Sequence, residues 1–146
     1  MKQLFATSND FTLTIIRLVL GIVFFIHGAQ IGLGWFGGFG WHGTMQFFTT
    51  QLGIPAFFAA LAILAQLLGG IGLIVGLLSR IAAFGIGIDM LVAIFKVHLH
   101  VGFFMNWYGM QKGEGYEYHL LALALCFLVL VKGAGAISLD RLIARG

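Results

Sequence analysis

Charged residues are scarce in this chain, and their scarcity excludes an ordinary soluble fold. Only 9% of the 146 residues are charged, whereas 60% are hydrophobic. Soluble domains carry about 25% charged residues, so this chain lacks the side chains that would form a solvated shell. Its long apolar runs predict transmembrane segments instead, because about 20 apolar residues cross the hydrocarbon core of a bilayer.

The chain also has few cysteines and no cluster of basic residues. Cys126 is the only cysteine, and it lies inside an apolar run. A single cysteine excludes a disulfide framework and a Cys-x-x-C redox motif, so any redox role must use an electron carrier from elsewhere. We interpret Cys126 as a small packing residue. The basic residues form no stripe, so no nucleic-acid partner is predicted.

Four apolar runs are long enough to be transmembrane helices. They cover about residues 11–33, 56–78, 81–105 and 118–137. Each crosses roughly 30 Å of hydrocarbon at 1.5 Å per residue. Helices are expected because backbone polar groups in lipid must be satisfied within their own segment. The sequence therefore predicts one domain, residues 1–146, which is an all-α bundle of four transmembrane helices with a long loop between the first two.

The lysines and arginines predict the orientation of this bundle. Most of them lie at or near one set of helix ends: Lys2, Arg17, Arg80, Arg141 and Arg145. The other two loops hold only Lys112. The positive-inside rule then places both termini in the cytoplasm and the long loop outside. Trp35 and Trp41 in that loop are predicted to anchor it at the membrane interface.

Ionisable residues inside a span are costly and usually find a partner in the bundle interior. Arg17 and Asp89 both lie about 10 Å from the cytoplasmic side at 1.5 Å per residue, and Lys132 reaches a similar depth. We interpret these three residues as a structural ion pair that fixes helix packing. The alternative is that the basic side chains extend to the interface.

A second set of polar residues falls in the outer half of the predicted bundle. Its members are His27, Gln66, Lys96, His100, Glu117 and His119. On a continuous third helix, which turns about 100° per residue, Lys96 and His100 share a face with Asp89, and His98 points the opposite way. We predict a ligand pocket in this outer half. The histidine spacing carries no metal signature, and no metal is predicted.

The residues Glu117 and His119 at the start of the fourth span leave two readings open. Glutamate near a helix N-terminus interacts favourably with the helix dipole, which is a purely structural role. Histidine titrates near neutral pH, so the pair is also suited to exchanging protons with a bound ligand.

Seven segments of the chain form an ordered series. They are "RLVLGIVFFIHGAQ", "GWFGGFGWHGT", "GIP", "GGIGLIVGLLSRIAA", "VHLHVGFF", "EGYEYHLLALAL" and "GAGAISLDRLI". Together they resemble the DoxX family of small bacterial membrane proteins, over about residues 13–143. The resemblance implies a four-helix bundle in the inner membrane. Because the family is associated with a thiosulfate:quinone oxidoreductase subunit, it also implies a redox neighbourhood. Relatives commonly have glutamate at position 66, so Gln66 argues against proton relay through the second span.

We therefore predict a protein that acts in or beside a quinone-linked membrane redox system, as an accessory subunit rather than a stand-alone enzyme. No resident cofactor is predicted, and quinone is the expected ligand. One alternative is a non-catalytic assembly subunit of a larger complex or self-oligomer, packed through small residues such as Gly72 and Gly76. Another is a small-molecule or ion carrier that uses Arg17, Asp89 and Lys96.

Overall fold

A computed structural model describes the backbone of residues 2–145 and the side chains of residues 4–145. All regular secondary structure in this part of the chain is helical, and it contains no strand, which confirms the all-α prediction. Its α-helices are α1 (Lys2–Phe5), α2 (Phe11–Leu33), α3 (Gly40–Gln46), α4 (Ala56–Val75), α5 (Ser79–Ala93), α6 (Glu117–Lys132) and α7 (Leu139–Arg145). A 3₁₀ turn covers Trp35–Gly37, and π-helical segments cover Phe47–Gln51 and Ile94–His98.

Three helical stretches are long and apolar enough to cross a membrane. They are Phe11–Leu33, Ala56–Val75 and Ser79–His98, with 23, 20 and 20 residues. The predicted spans at these places are confirmed, although the third ends at His98 rather than near residue 105. Helix α6 has 16 residues, or about 24 Å at 1.5 Å per residue. It ends at Lys132 because Gly133 adopts a positive φ of 86°, so the fourth span stays a prediction.

The long helices pack as a ring in which α2 contacts α4 and α6, and α5 contacts α4 and α6. Glycines bring α2 and α4 together: a Cβ at Gly28 would lie closer than 3.0 Å to the backbone of Leu67, and one at Gly70 equally close to Phe25. Such small residues let helix backbones approach in a membrane. The core between the helices contains Phe24, Leu73, Ile86, Met90, Cys126 and Val129.

Arg17 lies buried at the end of the bundle where α4 passes into α5. Its Nε donates to the carbonyl oxygen of Ala134 at 2.8 Å, and its other nitrogens donate to those of Leu73, Ile74 (2.9 Å) and Ile137 (2.7 Å). The last carbonyls of a helix have no partner within the helix. The five N–H donors of arginine meet this need at the end of α4.

Asp140 of α7 is buried at the same end and caps α5. Its carboxylate accepts from the backbone nitrogens of Leu78 at 2.7 Å and Ser79 at 2.9 Å. These are two of the N–H groups that the first turn of a helix leaves free. A helix near the C-terminus thus fixes the turn between the second and third spans.

The predicted grouping of Arg17, Asp89 and Lys132 needs correction, because the structure gives these residues other partners. Arg17 extends to backbone carbonyls at the helix end, whereas Asp89 accepts a hydrogen bond from Gln66. Lys132 is exposed at the end of α6. Equal depth along the helix axes did not bring the groups together, because each side chain meets a nearer partner on its own side of the bundle.

Arginine side chains gather at this same end of the bundle, which we call the arginine-rich end. It comprises Arg17, Arg80, which donates to the carbonyls of Ala6 and Leu130, and Arg141, which donates to Asn9 and Ala136. The side chain of Lys2, which also entered the orientation prediction, lies outside the described residues. At the opposite end, Trp35 and Trp41 are both exposed, at 52% and 37%. That exposure suits the anchoring role predicted for them.

Candidate functional site

A groove of about 1070 Å³ runs between α4 and α5. It begins beside the loop at residues 52–55 and continues past Val75 and Ile81. Its volume lies at the upper limit of typical ligand pockets, which are about 300–1,000 Å³. The lining is apolar except for four side chains: Gln66, Asp89, Lys96 and His98. The groove therefore offers an apolar ligand a long surface with few polar contact points.

Gln66 and Asp89 form a hydrogen-bonded pair across the groove. Nε2 of Gln66 donates to Oδ2 of Asp89 at 2.6 Å. Each residue lies near the middle of its helix, and α4 and α5 run in opposite directions, so the two side chains meet at the same depth. Both remain partly exposed to the groove. A carboxylate in apolar surroundings requires such a donor, because burying it without one is very unfavourable.

His98 lies where the groove meets the interior of the bundle. Its ring centroid is 4.1 Å from that of His119 on α6, with 40° between the planes. Its Nδ1 lies 2.7 Å from the carbonyl oxygen of Glu114. A carbonyl only accepts, so Nδ1 carries the hydrogen, and Nε2 of the neutral ring is left as an acceptor.

His119 and Tyr118 place polar atoms in the interior without partners. His119 is 6% exposed, and its Nδ1 has no hydrogen-bond partner among the described residues. The buried hydroxyl of Tyr118 likewise has no hydrogen-bond partner among the described residues. The Tyr118 ring lies 5.4 Å from that of His119 and 6.3 Å from that of His27. Buried polar atoms are nearly always paired in native proteins, so this cluster is a candidate site for a ligand or an ordered water.

The π-helical segment Ile94–His98 decides which histidine belongs to this site. The backbone N–H of Leu99 bonds to the carbonyl of Ile94 at 2.8 Å, five residues back. The prediction that Lys96 and His100 share a face assumed a regular α-helix, in which this bond would reach back four residues. Lys96 still lines the groove, but His98 joins it there, and His100 lies exposed beyond the helix. Single π-turns of this kind are frequent at functional sites.

Glu117 holds the connection between the π-helical segment and α6. Its Oε1 accepts from the backbone nitrogen of Met105 and from Nε1 of Trp107, both at 3.0 Å. Glu114 likewise accepts from the backbone nitrogen of Asn106 at 2.7 Å. The two acids therefore fold residues 99–116 back over the end of the bundle.

The six residues predicted for the pocket are distributed over three places. Gln66 and Lys96 line the groove, and His119 reaches its wall through His98. His27 is exposed on α2, and its ring lies 6.3 Å from that of Tyr118. His100 lies in the connection between the π-helical segment and α6, and Glu117 is the first residue of α6. Sequence reasoning missed His98 and Tyr118, and the only signal for His98 was its place between Lys96 and His100, two residues from each. Among the described residues, no group of three or more acids, histidines and cysteines has a metal-binding arrangement.

These features define a helical membrane protein with a groove between two of its spans that is apolar except for four polar side chains. The family model of DoxX matches residues 12–99 of the chain. The chain is also 30% identical over 132 residues to a Bacillus subtilis (strain 168) protein named "Putative oxidoreductase CatD", which covers 90% of this chain and 87% of that protein. No solved structure gives a significant match. The chain belongs to the DoxX family, and the predicted resemblance is confirmed.

Proposed function

We propose that this protein acts in or beside a quinone-linked redox system of the bacterial inner membrane, and that the groove between α4 and α5 receives the quinone. The supporting observation is the groove itself, which is apolar along its length and carries four polar side chains. Phe58, Leu68 and Phe84 line it and are 57–59% exposed, so it opens sideways where lipid surrounds the spans. A quinone dissolved in the bilayer thus has direct access.

The relative named as an oxidoreductase supports a redox role for the family. The electrons themselves must come from a partner, because Cys126 is a single buried thiol that cannot form a disulfide within the chain. We therefore assign the protein an accessory role within a larger membrane complex rather than stand-alone catalysis.

In this proposal α6 is the fourth span, and both termini lie in the cytoplasm. Helix α6 packs against α5 and α2 and buries the same core. The arginine-rich end contains both chain termini as well as the turn between α4 and α5. The positive-inside rule assigns that end to the cytoplasm.

The residues that suggested an assembly subunit or a carrier have other roles in the structure. A Cβ at Gly76 would collide with Ser138, and one at Gly72 would lie 2.9 Å from the carbonyl oxygen of Leu77, so both glycines serve contacts within the chain. Arg17 is bound to carbonyls at the arginine-rich end, away from the groove that contains Asp89 and Lys96. No specific observation in the described structure therefore supports the assembly subunit or the carrier.

Filling the groove tests the proposal. The variant Ile88→Trp places a large ring on a groove position that is 46% exposed, and Ile22→Trp is its control on α2, 48% exposed and outside the groove. We expect quinone that co-purifies in mild detergent to fall at least about tenfold in Ile88→Trp, a loss of about 1.4 kcal/mol in binding, and to be unchanged in Ile22→Trp.

A second test compares membranes that contain the protein with membranes from cells in which its gene is deleted. We expect the deletion to slow quinol oxidation in those membranes. A wild-type protein that retains no quinone, together with unchanged quinol oxidation after deletion, would falsify the proposal.

A further inference from the structure

The carboxylate of Asp89 presents hydrogen-bond acceptors to the groove. An ionised carboxylate is acceptor-only, with about four lone-pair sites on two oxygens. Within residues 4–145, the one side chain that donates a hydrogen bond to this carboxylate is Gln66. Asp89 is also the only acid among the described residues that line the groove. Most of its capacity to accept hydrogen bonds is therefore left for whatever enters the groove.

The other polar groups of the groove do not neutralise Asp89. Lys96 follows it by seven residues on the same helical stretch, about 10 Å further along at 1.5 Å per residue. Lys96 is exposed, and no hydrogen bond or ion pair joins it to Asp89 in the described part of the chain. His98 directs its Nδ1 to the carbonyl of Glu114. The middle of the groove thus combines an apolar wall with carboxylate oxygens that no positively charged side chain contacts in the described part of the chain.

We propose that Gln66 and Asp89 make this groove selective for the reduced, hydroxyl-bearing quinol over the quinone, an inference that rests on the function proposed above. A quinone carries only acceptor oxygens, and beside Asp89 they would face another acceptor in an apolar medium. A quinol brings two O–H donors. Hydrogen bonds to a charged acceptor contribute more than neutral ones, and an acceptor left unpaired in such surroundings is destabilising.

Three probes with one ring and one alkyl chain separate hydroxyl recognition from apolar packing. They are an alkylated hydroquinone, the corresponding quinone, and the hydroquinone with both hydroxyls methylated. All three present the same ring and alkyl chain to the groove, but only the first donates hydrogen bonds. We expect wild-type protein in lipid nanodiscs to bind the hydroquinone at least about tenfold more tightly than the other two. A tenfold preference raises the midpoint potential of the bound two-electron couple by about 30 mV, which redox titration measures independently.

Asp89→Asn is the matched variant, because it keeps the shape of the side chain and adds an N–H donor. We expect the preference for the hydroquinone to fall to about twofold or less. Asp10→Asn is the control: Asp10 caps α2 outside the groove, where asparagine is an equally good cap. It should keep the wild-type ratio. If Asp89→Asn fails to fold, comparing the binding of the hydroquinone and its dimethyl ether to the wild-type protein still tests whether the groove recognises the hydroxyl groups.

Each result bears on a distinct claim. Equal binding of all three probes, or tighter binding of the quinone, overturns the selectivity while leaving the quinone-linked function standing. A preference that survives in Asp89→Asn overturns the assignment to Asp89. If none of the probes binds, the proposed function fails together with the inference.

Discussion

The two ends of this bundle differ in how their buried ionisable side chains are paired. At the arginine-rich end, the guanidinium of Arg17 and the carboxylate of Asp140 each find several backbone partners. Toward the other end, Nδ1 of His119 and the hydroxyl of Tyr118 are buried and have no hydrogen-bond partner among the described residues. The first arrangement stabilises the fold. The second lowers stability and leaves polar atoms available for a ligand, which is the pattern expected of a functional site.

The largest effect on this comparison is expected from Arg17→Met. Methionine preserves much of the apolar stem but leaves the carbonyls of Ala134, Ile74 and Ile137 without their donor. Each buried group that loses its partner is destabilised by about 1–3 kcal/mol, so we expect a loss of roughly 3 kcal/mol or more. Thermal unfolding in detergent measures it.

Arg145→Leu is the control for that variant, because Arg145 is exposed on α7. It should change stability by less than about 0.5 kcal/mol. If Arg17→Met unfolds at the wild-type temperature, the carbonyl contacts do not stabilise the arginine-rich end, and the contrast between the two ends is lost.

An intermediate effect is expected from Gly28→Ala, at the close contact between α2 and α4. The added methyl group would lie closer than 3.0 Å to the backbone of Leu67, and α2 and α4 must separate. Overpacking of this kind destabilises by about 1–3 kcal/mol.

Gly87→Ala is the matched variant, because its Cβ would meet that of Cys126 at 3.7 Å, an ordinary contact. We expect it to be neutral or slightly stabilising. Equal unfolding temperatures for the two variants would show that the close approach of α2 and α4 is not a rigid feature.

The smallest effect on stability is expected from Tyr118→Phe. The change removes a buried hydroxyl that has no partner, so stability should stay the same or rise by up to about 1 kcal/mol. Quinol-linked activity in membranes should nevertheless fall, because the hydroxyl is then missing from the site.

Tyr116→Phe, at the residue just before α6, is the control, since its side chain makes no hydrogen bond within residues 4–145 and packs edge-on against Phe103. It should leave both stability and activity unchanged. A marked destabilisation by Tyr118→Phe would mean that its hydroxyl has a structural partner, and the functional interpretation of the cluster would be lost.

The amino-acid sequence alone determined the class of protein and the positions of three spans. Apolar runs of sufficient length specify helices in lipid, because the backbone must satisfy its own hydrogen bonds there. The ordered motifs also gave the family, which the family model confirms. Residue counting estimated depth along each helix, but it placed Gln66 in the outer half and Asp89 nearer the cytoplasmic side, although the two side chains meet near the middle of α4 and α5.

Only the tertiary structure decided which of these residues meet. Depth along an axis says nothing about rotation or about neighbouring helices, so Asp89 was assigned to Arg17 although Gln66 faces it across α4 and α5. One π-turn changed the rotation at the end of the third span and turned His98, not His100, toward His119. The sequence identified the polar residues that are costly to bury in a membrane, and packing decided which of them found partners, because such a group bonds to the nearest group that can satisfy it.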